Sequence, residues 1–128
     1  MGRSHPFQTK SYHAHCFLLF TLQLYLRKLE NRHLKVLLSI GGATYSFNET
    51  HNFNFVTNTS LRATFVSSAV QLVKDYGFDG LDVDYEFPNT TALAAGFADL
   101  LTETRKGLDE LKEKNGDAVP YLLTVRPV

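Results

Sequence analysis

The 128-residue sequence predicts an α/β fold built on a parallel sheet. Three segments with strand character, Leu34–Ile40, Asp79–Glu86 and Tyr121–Val125, recur at intervals of about forty residues, which leaves room for a crossover helix after each of the first two. In the two connecting segments, apolar residues recur every three or four positions, as on a helix with one buried face. Strands and helices in alternation are typical of a parallel α/β sheet.

The segment before the first strand predicts a helix. Residues 1–15 are polar and mixed, so an irregular arm is expected there. The apolar run Cys16–Leu26 continues into charged residues with helical spacing, which favours a buried helix over about Phe17–Asn31; a strand over its first half is the alternative. Three leucines are predicted to face the interior of the protein: Leu22, Leu26 and Leu29. The run is too short to span a membrane, and no small-residue cleavage site follows it.

The first strand is predicted to be buried on both faces, because Leu34–Ile40 is an almost continuous apolar run. Gly41 and Gly42 come directly after it, and two glycines permit a tight turn and a close backbone approach. Residues 43–59 are then predicted to form a loop rich in Asn, Thr and Phe. Most of its aromatic side chains are expected to be buried beneath it: Tyr45, Phe47, Phe53 and Phe55.

Two long helices follow. Ser60 is predicted to cap the first helix, which ends at Gly77, and the second begins near Thr91 and ends near Gly116. The first helix has this predicted core stripe: Leu61, Phe65, Ala69, Leu72, Val73 and Tyr76. The second helix has this one: Leu93, Phe97, Leu100, Leu101, Leu108 and Leu111. Tyr121–Val125 is predicted to be a third buried strand that stops before Pro127.

The segment Asp79–Pro88, with the sequence DGLDVDYEFP, carries a row of acids. Side chains alternate along a strand, so Asp82, Asp84 and Glu86 share one face with neighbours about 6.5 Å apart, and the apolar residues between them share the other. Three acids at this spacing in a shielded place cannot all be ionised comfortably, so at least one is predicted to hold a proton. Pro88 ends the strand after Glu86, which places this last carboxyl where α/β folds keep their chemistry. The pattern therefore indicates general acid catalysis.

Two alternatives to acid catalysis stay open. One is a divalent cation held by Asp82, Asp84 and Glu86, and the other is a half-exposed strand whose solvent-facing side is acidic without any chemical role. An EF-hand loop that begins at Asp82 would need Gly at its sixth position and Glu at its twelfth, where the sequence has Phe87 and Leu93. No cofactor and no resident metal are therefore predicted.

The composition excludes two classes of partner. The chain has 13 basic and 13 acidic residues, whereas nucleic acids and anionic membranes select a basic excess. Cys16 is the only cysteine, so an internal disulfide and a cysteine-built metal site are excluded as well.

Two motifs resemble the signatures of glycoside hydrolase family 18, the chitinases and chitinase-like proteins. Asp79–Glu86 is similar to the family motif D-G-x-D-x-D-x-E, and Ser39-Ile40-Gly41-Gly42 is similar to its S-x-G-G motif. The resemblance runs from about Gln23 to Pro127, so residues 1–22 are expected to be a non-family arm with the start of the apolar helix. Residues 23–128 would form a partial catalytic domain. A complete (β/α)₈ TIM barrel takes about 250 residues, so the resemblance implies a partial barrel with the third to fifth strands.

The resemblance implies hydrolysis of β-1,4-linked N-acetylglucosamine in chitin with retention of configuration, the substrate's own acetamido group serving as nucleophile. It makes Glu86 the acid that protonates the glycosidic oxygen and then the base that activates water. Asp84 would hydrogen-bond the acetamido nitrogen, and Asp82 would share a proton with Asp84. Four further residues would support the site: Asp79 and Ser39 below the acids, and Gly41 and Gly42 along the cleft floor. Tyr85 also belongs to the motif, and its side chain is predicted to point away from the acids.

Three departures from the family pattern bear on activity. Ala43 stands where many relatives have Trp, Tyr85 stands where Trp is frequent, and Arg126 occupies a place that is usually small. No Met-x-Tyr-Asp segment follows the third strand, so the Tyr and Asp that clamp the acetamido oxygen in the family are missing. The resemblance thus predicts a chitinase fragment that hydrolyses little or no chitin alone. A non-catalytic chitinase-like sugar-binding protein and a truncated product without function are the alternatives.

The resemblance also implies secretion, although no convincing signal peptide is visible. Three triplets fit the pattern of N-glycosylation acceptors and agree with a secreted protein: Asn48-Glu49-Thr50, Asn58-Thr59-Ser60 and Asn89-Thr90-Thr91.

Overall fold

The computed structural model describes residues 21–46 and 52–126. The elements follow in this order: α1 (residues 21–30), β1 (Leu37–Gly41), α2 (Ala43–Ser46), a 3₁₀ helix (Asn52–Thr57), α3 (Thr59–Tyr76), β2 (Gly80–Asp84), α4 (Thr91–Asn115) and β3 (Leu122–Val125). The predicted alternation of strands and helices is confirmed. Several predictions lie outside the described residues: the irregular arm, the start of the first helix, Phe47, the Asn48 triplet and the stop at Pro127.

The leucines of the first helix are not buried. Within the described residues the helix ends at Glu30, next to the predicted end at about Asn31. Leu22, Leu26 and Leu29 are 53%, 48% and 51% exposed, so the prediction that they face the interior is wrong. Helical spacing predicts that apolar residues share one face, but their burial also needs a second surface, which spacing does not supply.

The sheet is parallel, with the strand order β1-β2-β3. β2 lies in the centre, and Leu81 and Val83 are fully buried there. β1 and β3 each pair with one neighbour within the described residues, and Leu122 and Val125 on β3 are 39% and 41% exposed. The predictions of a first strand buried on both faces and of a buried third strand are therefore wrong, because the side chains of both strands are half-buried or exposed. An apolar run does not say whether another element covers its faces. β1 also begins at Leu37, three residues later than predicted.

The ends of the two long helices follow local sequence signals. Asn58 rather than the predicted Ser60 caps α3, and its Oδ1 accepts a hydrogen bond from the backbone N–H three residues further on. Thr90 caps α4 in the same way through its hydroxyl. Both helices end at a glycine with left-handed backbone, Gly77 at φ 67° and Gly116 at φ 70°, and both of these predictions are confirmed.

The helical core stripes are partly confirmed. Ala69 and Val73 on α3 are buried, but the other predicted residues of that stripe are half-buried or exposed. On α4 the prediction holds for three residues, which are at most 6% exposed: Leu100, Leu108 and Leu111. The rest of its stripe is half-buried. Each predicted stripe contains more residues than neighbouring elements cover, so some of its side chains stay half-buried or exposed.

The predicted loop over residues 43–59 contains two short helices. Of its described aromatic residues only Phe53 is buried, whereas Phe55 is half-buried and Tyr45 is exposed, so the prediction that most of them are buried is wrong. Phe53 is 2% exposed and stacks on Tyr85, with ring centroids 4.2 Å apart and an interplanar angle of 12°. Tyr85 in turn meets the edge of Phe97 on α4 at 5.3 Å. This aromatic row packs the 3₁₀ helix against the segment that follows β2.

A buried arginine holds the 3₁₀ helix in place. Arg62 on α3 is 6% exposed, and its Nη1 donates to the carbonyl oxygen of Val56 at 2.8 Å. Its Nε and Nη2 both donate to Glu103 Oε1 at 3.0 Å, and Nη2 lies 3.4 Å from Asp99 Oδ2. A buried guanidinium needs such partners to offset its lost hydration. Arg62 therefore joins the 3₁₀ helix, α3 and α4.

Close packing of α4 against the 3₁₀ helix gives a first prediction. A Cβ at Gly96 would lie 2.5 Å from the carbonyl oxygen of Val56. We expect Gly96→Ala to lower the free energy of unfolding by about 1–3 kcal/mol because backbone must move, although alanine is the better helix former. The measurement is urea unfolding followed by circular dichroism.

Gly107→Ala in the same helix is the matched control for Gly96→Ala. A Cβ at Gly107 would meet only methyl groups of Val66 and Val70, both at 3.1 Å, and those can shift slightly. Its urea midpoint is expected to stay closer to that of the unmodified chain. Equal midpoints for the two variants would contradict the close backbone approach at Gly96.

Burial of Tyr85 gives a second prediction. Burial raises the pKa of the Tyr85 phenol above its ordinary value of 10.0, because desolvation disfavours the phenolate. The neutral phenol thus contributes stability that is present below pH 10 and lost as the pH rises through the higher folded-state value. We expect Tyr85→Phe to reduce the alkaline loss of unfolding free energy above about pH 10. The measurement is urea unfolding over a series of pH values, and an alkaline loss in Tyr85→Phe equal to that of the unmodified chain would contradict the effect of burial.

Candidate active site

The register of the sheet places Asp82 between two hydroxyl groups. Asp82 pairs with Ser39 on β1 and with Thr124 on β3. Ser39 Oγ donates to Asp82 Oδ2 at 2.7 Å, and Thr124 Oγ1 donates to Asp82 Oδ1 at 2.6 Å. Both carboxylate oxygens of Asp82 are therefore engaged, which fixes the orientation of its side chain. Ser39 was predicted as a supporting residue, whereas Thr124 was not.

Asp79 ties the strands together where β2 begins. Its Oδ2 accepts a hydrogen bond from the backbone N–H of Val36 at 2.7 Å, and its own N–H donates to the carbonyl oxygen of Val36 at 2.8 Å. Its carbonyl oxygen accepts from the N–H of Leu122 at 2.8 Å. Asp79 therefore joins the starts of all three described strands, and the acids Asp82 and Asp84 lie further along β2 from this anchor.

The paired glycines bring β1 against Asp84. Gly41 has φ 120°, and a Cβ there would lie 2.2 Å from the carbonyl oxygen of Asp84. Gly42 has φ 94°, and its N–H donates to that same oxygen at 2.8 Å. A Cβ at Gly42 would have Asp84 Oδ2 as its nearest neighbour, at 3.8 Å. Glycine is thus needed at both positions, by steric space at Gly41 and by backbone conformation at both.

Asp84 has a carboxylate oxygen without a hydrogen-bond donor. Its Oδ1 is buried and has no partner among residues 21–46 and 52–126. A buried acceptor in this state costs free energy that a donor or a proton would recover. Asp84 Oδ1 therefore needs a proton, or a donor from outside these residues, to recover that free energy.

Glu86 lies two residues beyond the end of β2, because the strand stops at Asp84 rather than after Glu86 as predicted. Glu86 is 7% exposed, so its carboxyl group is shielded from bulk water. Its backbone N–H donates to Ser46 Oγ at 3.0 Å, and Ser46 Oγ donates to the carbonyl oxygen of Asp84 at 3.5 Å. Phe87, the next residue, has φ 60°, which turns the chain away from the strand direction.

Arg126, just after β3, forms an ion pair with the predicted acid. Its Nη1 donates to Glu86 Oε1. The Arg126 side chain is 57% exposed and the Glu86 side chain 6%, so a mostly hydrated cation covers a buried carboxylate. Sequence comparison with the family pattern marked Arg126 as unusual but did not predict this pairing.

Tyr85 supports the site through packing. Tyr85 is 8% exposed and lies in the aromatic row with Phe53. Leu81 and Val83 of β2 are buried as well. The predicted alternation of apolar and acidic residues along this segment therefore agrees with the burial of its apolar members.

Within residues 21–46 and 52–126, no group of three or more His, Cys, Asp or Glu side chains is arranged to hold a metal ion. The same residues contain no helix with the length and apolar character that crossing a membrane requires.

The comparisons with known proteins agree with the motifs. The model of the glycosyl hydrolases family 18 matches residues 9–127. An endochitinase 1 of Metarhizium robertsii is 42% identical over 104 residues, which are 80% of this chain and 24% of the relative. The domain boundary predicted between residues 22 and 23 stays a prediction.

Two solved structures show the same fold. A GH18 chitinase from Cycas revoluta in complex with (GlcNAc)3 is 33% identical, with a TM-score of 0.66 over 77% of this chain and 28% of that one. A chitinase-like agglutinin from Robinia pseudoacacia is 28% identical, with a TM-score of 0.72 over 83% of this chain and 31% of that one.

The chain thus spans about a quarter of the length of the curated relative that it matches. The three strands of its described residues and their crossover helices form an open part of a TIM barrel. The family match over residues 9–127, together with the acids of β2 and the paired glycines of β1, shows that the chain belongs to glycosyl hydrolases family 18.

Proposed function

We propose that this chain carries the proton-transfer part of a chitinase site, with β-1,4-linked N-acetylglucosamine polymers as substrate. One observation carries the proposal. Glu86 is buried just beyond the carboxyl end of β2, and Asp84, two residues before it, presents an unpaired buried oxygen next to the paired glycines. Carboxyl ends of parallel strands are where barrel enzymes place their reacting groups.

In the proposed reaction, Glu86 donates a proton to the glycosidic oxygen while the bond between that oxygen and C1 breaks. The acetamido oxygen of the same sugar attacks C1, so a C1–O bond forms and an oxazolinium ion results. Water then attacks C1 and gives a proton to Glu86. The bond between C1 and the acetamido oxygen breaks, which opens the oxazolinium ring. Two displacements at C1 retain the anomeric configuration.

Asp84 and Asp82 would stabilise the positive charge that develops on the acetamido group. Asp84 Oδ1 is proposed to accept a hydrogen bond from the acetamido N–H, since that oxygen has no donor in the described residues. Hydrogen bonds from Ser39 and Thr124 hold Asp82 in place, so its carboxyl group keeps a fixed position relative to Asp84. The sharing of a proton between Asp82 and Asp84 stays a prediction.

The other motif residues are proposed to position these acids. Gly41 and Gly42 let β1 approach Asp84, and Asp79 anchors the strand starts. Tyr85 fixes the segment between Asp84 and Glu86 by stacking on Phe53. None of these groups needs to gain or lose a proton in the reaction.

Arg126 favours a second candidate function, the binding of chitooligosaccharides without cleavage. A guanidinium only donates hydrogen bonds and keeps its proton at neutral pH. While Arg126 occupies Glu86 Oε1, that oxygen is not free to deliver a proton to a sugar. We therefore propose that this 128-residue polypeptide alone has little or no turnover, and that it acts outside the cell as secreted family members do.

The two candidates are separated by measuring binding and turnover on the same preparations. Chitotetraose binding by calorimetry and release of fluorophore from a chitotriose glycoside would be compared for the chain, Arg126→Met and Glu86→Gln. Arg126→Met keeps the aliphatic part of the side chain and removes its charge. We expect it to raise turnover at least tenfold, because Glu86 is freed to donate a proton.

Glu86→Gln supplies the matched control, since glutamine has nearly the same shape but no transferable acid proton. In the Arg126→Met background it should abolish the gained turnover, an effect of about a hundredfold or more for a general acid. Binding of chitotetraose should persist. Turnover that survives Glu86→Gln would contradict the assigned role. Binding without turnover in both the unmodified chain and Arg126→Met would favour the binding function.

A further inference from the structure

The acceptor triplet Asn89-Thr90-Thr91 lies three residues beyond Glu86, on the connection between β2 and α4. All three residues are exposed, and Thr90 has extended backbone with φ −132° and ψ 154°. The Thr90 hydroxyl caps α4 by accepting from the N–H of Leu93 at 3.2 Å. Within the described residues no hydrogen bond involves the Asn89 carboxamide, so the fold leaves it free in solvent.

The other described triplet differs in how the fold uses its asparagine. Asn58 caps α3, and its Oδ1 accepts a hydrogen bond from the N–H of Leu61 at 3.1 Å. The Asn89 carboxamide has no such structural task, because the neighbouring Thr90 caps α4 in its place. Modification of Asn89 would therefore break no hydrogen bond among the described residues.

We propose that Asn89 is a site of N-glycosylation, an assignment that is independent of the catalytic roles given above. An N-glycan is added in the secretory pathway to the asparagine of an Asn-x-Ser/Thr triplet at the protein surface. The donor class is a lipid-pyrophosphate-linked oligosaccharide. A bond forms between Asn89 Nδ2 and C1 of the sugar, the bond between C1 and the phosphate oxygen breaks, and the lipid pyrophosphate leaves with the electron pair. The amide proton passes to a base of the transferase.

The proposed glycan would stand two residues along the chain from Phe87, whose side chain is 52% exposed. Phe87 is thus an exposed apolar side chain on the same connection. A hydrophilic oligosaccharide on this connection adds polar surface next to such a group, whereas Asn89 itself contributes only one small carboxamide.

The test is site-specific, because trypsin releases Asn89 in a peptide of its own. Cleavage after Lys74 and Arg105 gives a peptide that contains Asn89 as its only asparagine. The full chain would be translated behind a cleavable secretory leader in the presence of microsomes. We expect this peptide to be detected only after treatment with peptide N-glycosidase F, which removes the glycan and converts the acceptor asparagine to aspartate.

Two substitutions at one position give matched controls. Thr91→Ala destroys the triplet without touching Asn89 or the Thr90 cap, and should yield the unmodified peptide. Thr91→Ser keeps the triplet and should yield the glycosylated one. Ser60→Ala, which destroys the triplet of Asn58, should leave the Asn89 peptide glycosylated.

Leader cleavage and protection from added protease would establish that each chain entered the microsomes. An unmodified Asn89 peptide from a protected chain would overturn the proposal, as would a glycan that persists in Thr91→Ala. Neither readout depends on sugar hydrolysis, so failure of this proposal is distinguishable from failure of the proposed enzymatic function.

Discussion

The close approach of β1 to β2 at Gly41 is the constraint on which the site depends. A Cβ at Gly41 would lie 2.2 Å from the carbonyl oxygen of Asp84, so any other residue would force the two strand ends apart. With glycine there, Gly41 pairs with Asp84 and the register continues back to Ser39 and Asp82. The hydroxyl that orients Asp82 and the backbone that presents Asp84 are thus set by the same contact. One backbone contact thereby fixes the positions of both acids relative to β1.

A second constraint keeps the segment after β2 from moving. Glu86 lies beyond the last strand hydrogen bond, so the sheet alone does not hold it. Tyr85 stacks on Phe53 of the 3₁₀ helix, and Arg62 binds that helix through the carbonyl oxygen of Val56. A packed aromatic pair and a buried, fully partnered guanidinium are rigid supports. Glu86 is therefore positioned largely by residues that are distant from it in sequence.

Features that depend on neighbouring residues were predictable from the sequence, and features that depend on distant ones were not. The left-handed ends at Gly77 and Gly116 and the glycine turn after β1 follow from the backbone freedom of one residue. The placement of Asp82 and Asp84 on one face of β2 follows from the two-residue period of side chains along a strand. Thr124 and Arg126, in contrast, meet their partners across about forty residues, and only the register of the sheet reveals them.

The same limit explains the errors in burial. Apolar spacing predicts which side chains share a face, but it does not say whether another element covers that face. Leu22 on α1 and Leu122 on β3 both belong to well-patterned segments, and both are more than a third exposed. The prediction of a loop over residues 43–59 missed two short helices, because contacts with distant residues order this segment. Its order comes from Arg62 and Glu103, which follow it in the chain, and local composition carries no sign of either.

The ion pair between Arg126 and Glu86 sets a condition on any ligand that binds beside Glu86. A buried carboxylate that loses the cation beside it is left with an uncompensated charge, which costs free energy because the group is shielded from water. Any group that displaces Arg126 from Glu86 Oε1 must therefore bring a hydrogen-bond donor of its own. The Arg126 side chain is 57% exposed and stays hydrated when it leaves, so the cost falls on the carboxylate rather than on the cation. The contact between Arg126 and Glu86 is thus one that a ligand at this end of the sheet has to replace.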